Sequence, residues 1–207
     1  MTRCFIAIIG LLACAPLAAA QTNAKPPELQ QCFACHGTGG EGKPDLGAPR
    51  IAAQSAEYLR KQLESYAQGT RSSAIMEPIA QGLSASQMQA AAVYFSQLAT
   101  SIATRKTKTT PAAWLRGRQL AQWGDEARHV QACANCHGPQ GRGEPPVAPY
   151  IAGLDARYVT AAIAAWKNGD RRNDAGQQMA TVAAALRSND IVALAAYFSR
   201  LPAPQRT

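Results

Sequence analysis

The sequence predicts an all-α chain built as two tandem domains, and three observations predict it. Apolar residues recur at helical spacing, and no run alternates convincingly at period two. The chain also repeats itself. Cys32 and Cys133, like His36 and His137, are offset by 101; Pro49 and Pro149, Tyr58 and Tyr158, Tyr66 and Trp166, Gly69 and Gly169, and Arg71 and Arg171 are offset by 100. Beyond a short insertion the offset becomes 103, matching Leu83 with Leu186, Tyr94-Phe95 with Tyr197-Phe198, and Leu98 with Leu201. Finally, one five-residue string stands in each copy: Cys32-Phe33-Ala34-Cys35-His36, and Cys133-Ala134-Asn135-Cys136-His137.

Residues 1–20 read as an export signal. Arg3 supplies a basic start, Phe5 to Leu12 form an apolar run too short to span a bilayer, and Ala18-Ala19-Ala20 gives the small-residue cleavage pattern. The mature chain is expected to begin at Gln21. Leu11-Leu12-Ala13-Cys14 also fits a lipoprotein box with Cys14 as lipid acceptor. Both readings export the protein. Thr100 to Pro111 is rich in Thr and Lys and has no apolar period, so it reads as a linker whose Arg105, Lys106 and Lys108 are solvated. The expected domains are 21–102 and 113–207, joined through 103–112.

In domain one only Pro27 to Gln31 precede the first string, so an N-terminal helix is short or missing. A Gly- and Pro-rich stretch, Gly37 to Pro49, follows the string. Glycine lets a backbone lie close to a flat ligand edge, and proline lowers the entropy cost of holding the loop. A helix is expected from Ser55 to Gly69, carrying Tyr58, Leu59, Leu63 and Tyr66, and a second from Ser84, where Gln87 gives capping-box spacing, carrying Met88, Ala91, Ala92, Phe95 and Leu98. Domain two adds an upstream helix over Ala113 to Gln131, interrupted at Gly124. It then repeats the loop (Gly138 to Pro149), the first helix (Asp155 to Gly169) and the last (near Asn189 to Arg200, with Ile191, Leu194, Ala195 and Phe198).

C-x-x-C-H is the attachment string of c-type haem. Two thiols one helical turn apart form thioethers to the vinyl groups, and the adjacent His offers its imidazole to the iron. Export leaves four cysteines, Cys32, Cys35, Cys133 and Cys136, all inside the strings, since Cys4 and Cys14 lie in the signal. A disulfide framework explains the cysteines but not a His at the same offset in both copies. A thioredoxin-like site needs a βαβ context that is not visible, and a zinc site from both pairs leaves the repeat unexplained.

The second axial position has few candidates. His129 has no counterpart in domain one and reads as a surface residue. Met88 falls on the apolar side of a helix and reads as core. Met76 and Met179 occupy matched positions at the offset of 103, each ahead of the last helix in a segment without helical periodicity, and are the expected ligands. A thioether favours the ferrous state and raises the potential. With both axial positions filled, iron is poorly placed to bind oxygen or peroxide, which argues for an electron carrier over an enzyme.

Taken together, the two strings each followed by Gly, the Pro-rich loops, the Tyr58 and Tyr158 helices, Met76 and Met179, and the Tyr94-Phe95 and Tyr197-Phe198 helices resemble a diheme class I c-type cytochrome, closest to the cytochrome c4 family. The resemblance implies two tandem cytochrome c (class I) domains, each with covalent haem c, in the bacterial periplasm. It implies single-electron transfer from a quinol-oxidising cytochrome bc complex or a periplasmic dehydrogenase toward a terminal oxidase or reductase. Permanent attachment to a dehydrogenase as its cytochrome subunit fits the same residues. The family packs the first helix of each domain on the last, and domain one departs from that. Arg71 and Arg171 are candidates to face haem propionates, or else are solvated loop residues.

The formal net charge is +8. Two haems would bring about four propionate carboxylates and leave the protein mildly basic. That suits docking to an acidic partner face or to anionic lipid, as well as an ordinary solvated surface. No polybasic run or nucleic-acid motif is present, so nucleic-acid binding is unsupported.

Overall fold

The computed structural model describes residues 27–99, 109–146 and 148–204. The expected signal, the Gln21 start, Cys4, Cys14 and the basic linker cluster lie outside these residues. Among the described residues there are nine α-helices and no strand, only isolated bridges.

In domain one, a 3-10 turn at Pro27–Leu29 runs directly into α1, Gln30–His36. The next helix, α2, covers Ala56–Ala67, and the Ser55 hydroxyl caps it by accepting from the Tyr58 amide at 3.1 Å. A short helix, α3, covers Met76–Gln81, and α4 covers Ala85–Gln97 behind the expected Ser84/Gln87 capping box. Helix α2 packs against both α3 and α4. Leu29, Phe33, Leu59, Ala91, Ala92 and Phe95 form the core, and Met88 is buried on α4 as core.

Domain two opens with α5, Pro111–Trp123, capped by Thr110 with Pro111 in the first turn. The helix expected through Gln131 ends at Trp123. Gly124 takes φ +72°, a 3-10 turn follows at Glu126–Arg128, exposed His129 takes the left-handed region, and an Asp125–Val130 bridge reverses the chain. Helix α6 covers Ala134–His137, α7 Ala156–Asn168, α8 Gln178–Ala185 and α9 Ser188–Phe198. Helix α7 packs on α8 and α9, and α5 crosses α9. At the crossing Gly117 is essential: a Cβ there would overlap the Ala193 carbonyl and lie 2.8 Å from the Tyr197 Cβ. Leu120, Ala121, Val130, Leu186, Ile191, Leu194, Tyr197 and Phe198 form this core.

The segments holding Met76 and Met179 differ from the expectation. Met76 is the first residue of α3 and Met179 the second of α8. Helix α3 is under two turns long and contains Pro78, so its period is unreadable in the sequence. The extra residues of domain two form a 3-10 turn at Ala175–Gln177, just ahead of α8.

The domains meet through their matched loops. The Ser72 amide donates to Asp170 O and the Arg172 amide to Thr70 O, both at 2.7 Å, so Arg71 and Arg171 pair as an antiparallel bridge.

Candidate functional site: two pinned histidines

Each attachment string folds onto one helical turn. Cys32, Cys35 and His36 lie on α1; Cys133 is the N-cap of α6, and Cys136 and His137 lie within it. None of these four cysteines forms a disulfide. Burial pushes the Cys32 thiol up and the Cys133 thiol up to about 12, so neither is a thiolate at neutral pH. Among the described residues no three His, Cys, Asp or Glu side chains come together to hold a metal ion.

The histidines are set identically. His36 Nδ1 lies 2.8 Å from Pro49 O, and His137 Nδ1 lies 2.8 Å from Pro149 O. A carbonyl can only accept, so Nδ1 carries the proton and the Nε2 lone pair is left for a ligand. Burial lowers both imidazole pKa values against the opposing effect of the carbonyl, and the Arg171 charge lowers that of His137 further. Both rings are neutral at neutral pH, the form that binds iron. The loops are folded back tightly to place these carbonyls. Gly42 (φ +82°) and Gly143 (φ +86°) admit no Cβ, because it would lie 2.6 Å from the Arg50 and Tyr150 amides respectively. These glycines serve the loop's own close approach.

Half-buried Met76 and Met179 come from different elements, those packed against α2 and α7. Their backbone amides are fixed by side chains, Met76 by the Ser73 hydroxyl at 3.1 Å and Met179 by the Asp174 carboxylate at 2.6 Å. The two thiols and one neutral imidazole of each string fit covalent haem c.

The sequence left Arg71 and Arg171 open between solvated loop residues and groups facing a charged ligand. Both are buried. Arg71 donates to Gln62 Oε1 (2.9 Å) and Tyr158 Oη (3.1 Å) and stacks on Tyr66; Arg171 donates to Gln62 Oε1 (2.8 Å) and Tyr58 Oη (3.3 Å) and stacks on Trp166. Among the described residues neither forms an ion pair with a carboxylate. Their field is visible at Tyr58: burial raises its phenol, but the charges of Arg171 and Arg71 outweigh that and hold it below its ordinary value. Gln62 gave no signal in the sequence because its matched residue is Ala162. Arg50 and Tyr150 were also missed, although each follows the matched Pro.

A sequence model of the cytochrome c family matches residues 27–103 and 116–202, one match per domain. The chain belongs to the cytochrome c family. Within it, the fold matches a diheme relative over both domains: reduced cytochrome c4 from Pseudomonas stutzeri, at TM-score 0.76 and 30% identity, over 84% of this chain and 95% of that one. A thiosulfate dehydrogenase electron acceptor from Thiomonas intermedia is 39% identical, over 97% of this chain and 94% of its own length. A thiosulfate dehydrogenase from Marichromatium purpuratum (TsdBA) gives TM-score 0.77 at 37% identity over 83% of this chain, which spans 36% of that larger protein. This cytochrome is therefore a cytochrome c4-like diheme electron carrier with two covalently bound haem c groups. No single helix among the described residues is long and apolar enough to cross a membrane.

Proposed function

We propose that this cytochrome works in the periplasm as the electron acceptor of a thiosulfate dehydrogenase and passes single electrons on toward a terminal oxidase or reductase. The observation that carries the carrier role is the pair of matched histidines, each neutral, buried and pinned through Nδ1 on a proline carbonyl. Similarity over nearly the whole chain to an electron acceptor of that dehydrogenase supports the choice of donor. Bound haem supplies one-electron chemistry at its iron. Cys32, Cys35, Cys133 and Cys136 form the thioethers. His36 and His137 would bind the haem iron through Nε2, and Met76 and Met179 through their thioethers. Arg71 and Arg171, which among the described residues pair with no carboxylate of this chain, would offset propionate charge from the buried interface.

The test is reduction of the oxidised holoprotein by thiosulfate in the presence of a catalytic amount of purified bacterial thiosulfate dehydrogenase. Both haems are expected to be reduced, and neither without the enzyme. Haems that stay oxidised with enzyme and thiosulfate, while a chemical reductant reduces them, would exclude this donor. The alternative donor is the one the cytochrome c4 resemblance implies, a quinol-oxidising cytochrome bc complex. Reduction by that complex and not by the dehydrogenase would select it.

A further inference from the structure

We propose that Arg50 and Tyr150 are positioning residues that tie the two histidine-pinning carbonyls to each other across the domain boundary, so that the two haem potentials are set jointly. The inference rests on the reading of His36 and His137 as axial ligands.

The chain of contacts is short. Pro49 O accepts from His36, and the next residue is Arg50; Pro149 O accepts from His137, and the next residue is Tyr150. Arg50 Nε donates to Tyr150 Oη at 3.0 Å, and Arg50 Nη2 donates to Ala152 O at 2.8 Å. Tyr150 Oη in turn donates to Ala52 O at 2.6 Å, and Gln54 Nε2 donates to Tyr150 O at 2.8 Å. The guanidinium also lies over the Tyr150 ring, 5.0 Å from its centroid. Both side chains are buried, at 6% and 4% exposure, so solvent does not replace these bonds. Tyr150 Oη both accepts and donates, which fixes the hydroxyl from two sides.

A peptide plane is rigid, so the direction of the Pro49 carbonyl is shared with the Arg50 backbone, and that of Pro149 with Tyr150. A partner on Nδ1 raises the basicity of the ligating nitrogen, and second-shell hydrogen bonding is one of the means by which protein sets an iron potential. Releasing the Arg50–Tyr150 contact frees both carbonyls and weakens both Nδ1–H···O bonds. Each imidazole then donates less to the oxidised iron, and both potentials rise. A contact that merely glued the domains together would act otherwise: loosening it admits water, stabilises the oxidised, more charged iron, and lowers the potentials.

The experiment is a spectroelectrochemical titration of the holoprotein, unaltered and as Tyr150→Phe, which keeps the ring and its packing. Arg50→Lys, which keeps the charge, is a second and milder variant. Both midpoint potentials are expected to move upward in Tyr150→Phe and by a smaller amount in Arg50→Lys. Potentials that both fall, only one that moves, or none that moves would overturn the proposal while two c-type haems per chain are retained. Absence of c-type haem from the unaltered protein would overturn the ligand reading itself, a distinct result.

Discussion

The two domains solve one packing problem in different ways. Each must cover the Tyr-Phe pair on its last helix. Domain one does it from inside the attachment string: Phe33 lies 5.8 Å from Tyr94 and 5.9 Å from Phe95, ring centre to ring centre. Domain two has Ala134 at the matched position and brings in Trp114 from α5, 5.7 Å from Tyr197. A phenyl ring in the string thus stands in for a helix. The substitution is incomplete, because α5 also brings charge. Arg116 and Arg128 both bind Asp190, at 3.1 and 2.7 Å, and Asp125 joins them. The residue matched to Asp190 in domain one is exposed Gln87. Phe33 covers the pair in domain one, whereas a helix and a charge network close domain two.

The largest effect is expected from Phe33→Ala, which empties a buried ring site and should cost domain one about 4 kcal/mol. Hydrogen exchange resolved by domain should show it there, with domain two unchanged. Gly117→Ala should cost domain two about 3 kcal/mol by forcing α5 off α9, with domain one protected as before. Asp190→Asn should cost domain two about 2 kcal/mol, because two guanidiniums lose the negative charge they share and one of its two acceptor oxygens becomes an amide donor.

Acid tests the same network more gently. Burial pushes the Asp190 carboxyl up, but Arg128, the Arg187 amide and Arg116 outweigh it and hold it below the usual carboxylate range. A depressed carboxylate contributes stability that is full above its unfolded pKa, about 4, and is lost as pH falls through its folded value. Domain two should therefore lose protection below about pH 4, with a shallower loss in Asp190→Asn. Arg157→Ala removes the ion pairs of an exposed arginine to Asp45 and Asp155 and should change stability by less than about 1 kcal/mol.

Local signals in the sequence carried much of this architecture. The caps at Ser55, Ser84 and Asp155 announce themselves because capping is decided within three residues. The repeat made the domain pairing legible and singled out Met76 and Met179. What stayed hidden was short or distant. Helix α3 is too short to show a period, and the reversal after Gly124 depends on Val130 meeting Asp125. The interface depends on pairs about a hundred residues apart: Arg50 with Tyr150, and Gln62 between two arginines. No periodicity encodes those meetings.

The proposed His/Met ligation of both haems is tested most directly by a spectroscopic redox titration of the holoprotein beside Met76→Ala, Met179→Ala and the double variant. Two c-type haems per chain are predicted, with a methionine–iron charge-transfer band that each single variant reduces in part and the double variant abolishes. A full band surviving in either single variant, or a single haem per chain, would contradict it.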